Sequence, residues 1–317
     1  MKIHLTFDIE IWCNSWKTLD QDFPKSYSRY IFGRSSQGDF ALPKTLDILN
    51  KNNLCGIFFV EPLFSKRFGF EFLEKIIRLI RDAQQDIQIH IHPEWTNEIT
   101  PPILKNSTKK RQFLSYYTEE EQSELIGIGK KLLEDAGSGS ITAFRAGGFG
   151  ADLNTFSALQ NNNITIDSSL NACHAVCAPE LKKQRSFSTP FKVGQVYTHP
   201  VSIFRDGLGK LRPAQIGACS GKEMVQAIQA SMQQGYEEFV ILSHNFEMLK
   251  VDNAIPDPVV VRRFEYLCRC LNEHRETMPT ACFPKEIALS EKDLDVPQVS
   301  FGTSAGRVIE QALRRII

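Results

Sequence analysis

The sequence predicts an α/β fold whose parallel sheet is either doubly wound or closed into a barrel. Short apolar runs alternate with segments of helical periodicity, and the pattern recurs roughly every 25–50 residues. Several of these runs end in a histidine, an arginine or an acidic residue, where α/β proteins place their functional groups. A chain of 317 residues, 42% hydrophobic and 23% charged, is long enough for one barrel-sized domain or two smaller ones. The chain shows no internal repeat and no low-complexity linker, so we expect one domain.

The strands are predicted from short apolar or alternating runs at residues 3–8, 55–60, 87–92, 141–145, 164–167, 196–199 and 239–244. The helices are predicted from apolar residues spaced three and four apart, at 40–50, 70–83, 118–135, 152–159, 222–234 and 258–273. Thr118 and Glu121 form a capping box at the start of the third of these helices. Residues 95–117 are expected to be a long surface loop, and 171–192 an irregular insertion.

The last stretch, residues 299–317, has the pattern of an amphipathic helix. Its apolar and basic residues lie on opposite helical faces: Val308, Ile309, Leu313 and Ile316 on one, and Arg307, Arg314 and Arg315 on the other. Such a helix can dock on the body of the protein, pair with another chain or lie on an anionic membrane. Docking is the interpretation we favour.

The composition excludes some classes of function. Thirty-seven basic and 37 acidic residues give a formal net charge of zero, so bulk charge indicates neither a nucleic-acid partner nor a membrane-surface partner. The N-terminus runs directly into a strand pattern without a signal peptide, and we expect a cytoplasmic protein with no transmembrane segment. The eight cysteines show no Cys-x-x-Cys spacing and are expected to be reduced, mostly structural thiols. Cys173, His174 and Cys177 form a weak candidate for a metal cluster.

The most informative stretch is residues 87–95, with the sequence IQIHIHPEW. Isoleucines alternate with Gln88, His90 and His92, so both histidines lie on the same face of a strand. Pro93 has no N–H to donate and ends the strand there. Two imidazoles at this spacing can bind one cation. The alternative is a pair of half-buried histidines that alternate by chance.

Other strand ends carry reactive side chains as well. Asp8 and Glu10 share a face, and two carboxylates there can divide metal binding and general-base catalysis, or can serve as a helix cap or surface turn. Arg145 precedes three closely spaced glycines and can hold a carboxylate, or can be an exposed arginine beside a glycine turn. Asp167 is a supporting carboxylate or an N-cap. His244 ends an apolar strand and is a candidate general acid.

The ordered motifs resemble those of the polysaccharide deacetylases, the NodB-homology carbohydrate esterases. The motifs are LTFD at 5–8, HIHP at 90–93, FRAGG at 144–148, DSS at 167–169 and LSH at 242–244. They look most like the divergent branch associated with lipopolysaccharide O-antigen or surface-polysaccharide clusters. The resemblance covers residues 3 to about 250 and implies a distorted (β/α)7 barrel. We expect the barrel domain at residues 1–290 and a C-terminal amphipathic extension at 291–317.

The resemblance also implies roles for individual residues. A divalent metal, usually zinc, would be bound by an aspartate and two histidines, the latter being His90 and His92. Asp8 would be the general base, Arg145 would orient that base, and His244 would be the general acid. The metal would polarise the acetamide carbonyl and bind the attacking water.

This chain departs from the family pattern at two positions. The family has adjacent aspartates in its opening motif, the second a metal ligand, whereas Ile9 follows Asp8 here. Glu10, on the face of Asp8, is the substitute ligand that we expect, although the two carboxylates can also exchange roles. The family spaces its histidine ligands by three residues, whereas a single residue separates His90 from His92. These departures leave the identity and the retention of the metal open.

The leading hypothesis is a metal-dependent hydrolase that removes an N-acetyl group from a nucleotide-linked or lipid-linked sugar, with zinc as the expected metal. A second hypothesis is an amidohydrolase-type barrel. That class places its His-x-His on the first strand, whereas here the pair follows the third predicted strand. A third hypothesis is a non-catalytic carbohydrate-binding barrel that has lost the deacetylase chemistry. Four aromatic residues are candidates for stacking on sugar rings or for plain packing: Trp12, Trp16, Trp95 and Phe149.

Overall fold

The computed structural model describes residues 1–105, 109–250, 255–287, 289 and 294–314. Its strands are β1 (Lys2–Ile9), β2 (Arg34–Ser35), β3 (Gly38–Asp39), β4 (Gly56–Val60), β5 (Asp86–Ile91), β6 (Ala143–Ala146), β7 (Ile166–Asp167), β8 (Phe191–Val193), β9 (Val196–Thr198), β10 (Ile203–Arg205), β11 (Leu211–Pro213) and β12 (Glu238–His244). Its helices are α1 (Leu19–Tyr27), α2 (Leu42–Lys51), α3 (Ser65–Phe68), α4 (Phe70–Asp82), α5 (Glu119–Asp135), α6 (Leu153–Asn161), α7 (Pro179–Lys182), α8 (Gly221–Gln233), α9 (Pro258–Glu273) and α10 (Phe301–Arg314).

The observed order of elements agrees with the predicted alternation of strands and helices. Every predicted strand is present, as β1, β4, β5, β6, β7, β9 and β12, and α9 begins and ends at the predicted residues. The capping box of α5 is formed, because the Thr118 hydroxyl accepts from the Glu121 N–H and the Glu121 carboxylate accepts from the Thr118 N–H. The sequence analysis missed α1, although its buried Leu19, Phe23 and Tyr27 have a helical spacing of four residues.

The residues group into two compact units. The first consists of Met1–Gly56, Ser202–Cys282 and the C-terminal segment from Leu294. In this unit β1 pairs in parallel with β12, in a register that runs from Lys2 beside Glu238 to Asp8 beside His244. This register places the carboxyl ends of β1 and β12 next to each other. The edge-to-face contact of Phe7 with Phe264, with ring centroids 5.8 Å apart, packs α9 against β1.

The second unit contains Ile57–Val201 and the described residues from Phe283 to 289. Its strands are ordered β4-β5-β6-β7-β9-β8, and neighbouring strands are parallel except for the antiparallel pair β8 and β9. The sheet is therefore mixed, because β8 adds an antiparallel strand to the parallel strands that the sequence predicts. The strand β8 begins at the end of the predicted insertion and forms a tight hairpin with β9 around Gly194, whose φ is +58°. One buried apolar cluster of this unit consists of Ile57, Phe59, Ala143 and Ile166.

The C-terminal helix α10 packs on the rest of the first unit through its basic face. Arg307 is buried, with its guanidinium 2.9 Å from Glu223 Oε2 and 3.1 Å from Asp206 Oδ2. The opposite face is open, with Val308 55% and Ile309 62% exposed. The predicted helix is present, and among the described residues it is attached by the ion pairs of Arg307 and by hydrogen bonds of Ser304. The residues Arg315 and Ile316 and the side chain of Leu313 lie outside the described part of the chain.

The predicted domain limits, 1–290 with an extension at 291–317, stay a prediction. Within the part of the chain that the structure describes, no helix combines the length and the apolar character needed to cross a bilayer.

Candidate active site

The first unit brings three of the predicted residues together at the carboxyl ends of β1 and β12. The His244 Nε2 atom lies 4.0 Å from Asp8 Oδ2 and 3.9 Å from Glu10 Oε1. Both carboxylates are buried. They therefore reach the same imidazole, as expected for side chains at i and i+2 on one strand face.

A third carboxylate, which the sequence analysis did not assign, completes this cluster. Glu247 Oε1 lies 2.9 Å from His244 Nδ1. Burial lowers the pKa of His244, but the hydrogen bond to Glu247 and the charges of Glu10, Glu247 and Asp8 outweigh burial and raise this pKa to about 9. This pKa favours the imidazolium form of His244 at neutral pH, which is the form from which a general acid gives up its proton.

The chain just past β1 is fixed by Asn245. Its backbone N–H donates to the Asp8 carbonyl at 3.1 Å, and its side-chain amide donates to the Glu10 carbonyl at 3.1 Å and accepts from the Glu10 N–H at 3.3 Å. These bonds hold the two carboxylates at a fixed position relative to β12. Asn245 and Glu247 follow within three residues of His244, and this closeness in the sequence was the available signal.

A pocket of about 430 Å³ opens beside His244 in the same unit. Aromatic and cationic side chains line it: Trp12, Tyr30 and Phe246, together with Arg29, Lys250 and Arg314. Phe246 stacks on the His244 ring and meets Tyr30 edge-to-face, with centroids 5.3 Å apart in each pair. The volume of this pocket is typical of a small-molecule site. Aromatic faces of this kind suit a sugar ring or a nucleobase.

In the second unit, β5 carries the predicted histidine pair. His90 and His92 are buried, and their ring centroids lie 4.8 Å apart. His90 Nδ1 lies 2.8 Å from the carbonyl oxygen of Arg145. Because a carbonyl only accepts, Nδ1 carries the hydrogen and Nε2 keeps the lone pair that a metal ligand needs.

Two buried glutamates that the sequence analysis missed belong to the same strand ends. Glu94 Oε2 lies 3.4 Å from His92 Nδ1. Glu61 follows β4 and accepts from the N–H groups of Leu63 and Phe64. Burial raises the pKa of Glu61 to about 8. The two hydrogen bonds and the charge of His92 lower this pKa, but their combined effect is smaller than that of burial. Both glutamates lie within three residues of the end of a strand, and this position in the sequence could have indicated them.

Arg145 is buried at the end of β6, so the alternative of an exposed arginine is wrong. Its guanidinium donates to the carbonyl and the hydroxyl of Ser168, at 3.0 and 2.9 Å, and lies 4.3 Å above the Phe59 ring. Asp167 is buried as well. Burial raises its pKa to about 6, although the hydrogen bonds from Ser169 and the charge of Arg145 oppose the rise.

The backbone after Arg145 passes close to the histidine pair. A Cβ atom on Gly147 would lie 2.7 Å from His92 Nδ1 and 2.7 Å from the Ile91 carbonyl oxygen. Only glycine leaves room for the His92 ring in its observed position. The absence of a side chain on Gly147 thus permits a close approach of the backbone to the His92 ring.

Other predicted candidates have structural roles. Trp95 is buried and meets Phe68 edge-to-face, which is packing rather than an open stacking surface. Cys177 is buried, donates to the Ser169 carbonyl and has a pKa raised to about 12 by burial. Among the described residues, Cys173, His174 and Cys177 do not converge as metal ligands.

Comparison with known proteins gives a fold. No protein-family model matches the chain, and no curated protein matches it. A provisionally assigned polysaccharide deacetylase from Mycobacterium smegmatis is 16% identical, covers 90% of this chain and 94% of its own length, and gives a TM-score of 0.54. This similarity shows that the chain has the fold of that structure. The predicted distorted (β/α) barrel of the NodB-homology type is thereby confirmed.

Two other structures match at lower TM-scores. The family 4 carbohydrate esterase from Streptomyces lividans, in complex with acetate, is 14% identical over 86% of this chain and 88% of its own, with a TM-score of 0.42. A CE4 family pseudoenzyme from Bacillus anthracis is 12% identical over 88% of this chain and 62% of its own, with a TM-score of 0.43.

Proposed function

We propose that this protein is a metal-dependent hydrolase that removes an N-acetyl group from a sugar. The observation that carries the proposal is the position of the His244 imidazole beside the carboxylates of Asp8 and Glu10, in a chain with the fold of a polysaccharide deacetylase. The further assignment to O-antigen or surface-polysaccharide biosynthesis rests on the sequence motifs.

The donor atoms fit a divalent metal. The His90 ring is oriented by the Arg145 carbonyl at Nδ1, which leaves Nε2 to bind a metal, and His92 has a carboxylate near its Nδ1. Imidazole nitrogens with one carboxylate are a ligand set typical of catalytic zinc. We therefore propose Glu10, His90 and His92 as the ligands. When bound, Zn²⁺ would supply Lewis-acid polarisation of the acetamide carbonyl.

The side chains divide the proton transfers. Asp8 accepts a proton from the water that attacks the carbonyl carbon, and Arg145 is the residue proposed to orient this base. His244 donates its Nε2 proton to the departing amine, since Nδ1 faces Glu247. The products are acetate and the free amino sugar.

The pocket beside His244 supports a sugar that carries phosphate. Its cations Arg29 and Lys250 suit a diphosphate, whereas Arg314 is paired with Asp257, and its aromatic faces suit the sugar or a base. This is the chemistry of a nucleotide-linked or lipid-linked sugar, the substrate class that we propose.

The proposal is tested by metal analysis and acetate release. Wild type, the His90→Ala/His92→Ala double variant and a control, His274→Ala, are purified and loaded with Zn²⁺; His274 is exposed. About one equivalent of zinc and acetate release from a nucleotide-linked N-acetyl sugar are expected for wild type and control only. Metal binding without acetate release from any N-acetylated sugar would favour the non-catalytic carbohydrate-binding barrel instead. Equal zinc content in the double variant would refute the ligand assignment.

A further inference from the structure

We propose that Cys55 and Cys282 form a reversible disulfide bond. Their Sγ atoms lie 3.1 Å apart, although the residues are 227 positions apart in the sequence. The inference is independent of the proposed function, because neither residue is among the proposed catalytic or metal-binding side chains. It revises the expectation that all eight cysteines stay reduced.

The backbone holds the two thiols together. The Cys55 N–H donates to the Thr280 hydroxyl at 2.9 Å. The segment that leads to Cys282 is itself bound to β1, since the Ile3 N–H donates to the Pro279 carbonyl at 2.9 Å and the Ala281 N–H donates to the Ile3 carbonyl at 3.1 Å. The backbone therefore holds the sulfur atoms at 3.1 Å, about 1 Å beyond the disulfide bond length of about 2.05 Å.

The pair differs from the buried cysteines of the same chain. Cys282 is exposed and Cys55 is partly exposed, so an oxidant can reach them. In contrast, Cys219 and Cys268 are buried, and burial raises the pKa of both thiols, that of Cys219 to about 12. Because the thiolate is the reactive form, those buried thiols are poor nucleophiles.

The reaction is a thiol–disulfide exchange with a small disulfide such as oxidised glutathione. The Cys282 thiolate attacks one glutathione sulfur, the glutathione S–S bond breaks, and a glutathione thiolate leaves. The Cys55 thiolate then attacks Cys282 Sγ and expels the second glutathione thiolate. Two protein thiols are oxidised to one disulfide, glutathione disulfide is reduced to two thiols, and the two protein protons pass to the leaving thiolates.

The bond would close a long loop and join the segment that ends at Cys282 covalently to Cys55, the residue directly before β4. Cross-links over loops of this length constrain the unfolded chain most strongly. For a chain of this size we expect the oxidised form to melt roughly 5 °C higher than the reduced form.

The test uses wild type, Cys55→Ser, Cys282→Ser and a control, Cys173→Ser, which removes another exposed thiol. Each folded protein is incubated with oxidised glutathione, alkylated, digested and analysed by mass spectrometry, with and without dithiothreitol. A peptide pair linking Cys55 to Cys282, and the rise in melting temperature, are expected in wild type and the control only, and both should disappear on reduction. Cys55→Ser should stop at a glutathione adduct on Cys282.

Two results of the same experiment would overturn the inference. If wild type after the incubation contains alkylated Cys55, with Cys282 either alkylated or bound to glutathione, the two thiols do not pair and the inference is wrong. A link from either residue to a different cysteine would overturn it as well.

Discussion

Glu247 is expected to control the protonation of His244, and Glu247→Gln tests this directly. The substitution keeps an oxygen that can accept from Nδ1 but removes the negative charge. Burial by itself lowers the pKa of His244, so the value of about 9 depends on the surrounding carboxylates. Glu247 is the nearest of these, at 2.9 Å compared with 3.9 Å for Glu10. An opposite charge at this distance changes a pKa by about 1–3, so we expect a fall of roughly 1 or more.

The same change affects stability, and its sign depends on pH. The pKa of His244 rises from 6.5 to about 9 on folding, which corresponds to about 3 kcal/mol. This stabilisation is fully present below the unfolded pKa and is lost as the pH rises through the folded pKa. Glu247→Gln should therefore lower the free energy of unfolding by about 1–2 kcal/mol more at pH 6 than at pH 10.

The assay is an NMR titration of the His244 ring in chelator-treated protein, with urea unfolding at both pH values. Glu237→Gln is the matched control, because Glu237 is exposed and precedes β12. The control should leave the pKa of His244 unchanged. A pKa that stays near 9 in Glu247→Gln would refute the reasoning, because Glu10 and Asp8 would then hold the proton without Glu247.

Two further substitutions test the packing. Arg307→Leu should lower the free energy of unfolding, measured by urea denaturation, by about 3–5 kcal/mol. The reason is that Glu223 is left buried without its cation. A loss below about 1 kcal/mol would contradict this expectation. Gly147→Ala should displace the His92 ring and reduce zinc content, measured by elemental analysis, whereas Gly306→Ala, whose new methyl group meets nothing within 4 Å, should keep it. Full zinc content in Gly147→Ala would show that the ring position is not needed.

Much of the fold is predictable from the sequence because its signals are local. A period of two marks β5 and places His90 and His92 on one face, and the Thr118 capping box marks the start of α5 within four residues. The same period of two places Asp8 and Glu10 on one face at the end of β1. The helix α1 was missed because Pro24 interrupts its pattern, and its N-cap residue, Thr18, forms no side-chain capping bond.

The face by which α10 attaches could not be predicted from its own residues. Amphipathicity favours burial of the apolar face. The partners of Arg307 are Glu223, 84 residues earlier, and Asp206, 101 residues earlier, and no local pattern indicates them. A paired ion network is therefore buried where the sequence suggested apolar contacts.

The sequence by itself determined which residue types end which strands, because hydrophobic periodicity and turn residues act over a few positions. Only the tertiary structure decided the electrostatics of those strand ends. The register of β1 with β12 brings Glu10 within 3.9 Å of His244, and folding alone brings the sulfurs of Cys55 and Cys282 into contact. A pKa or a thiol pair depends on distances through space, and these distances are set by strand register and packing.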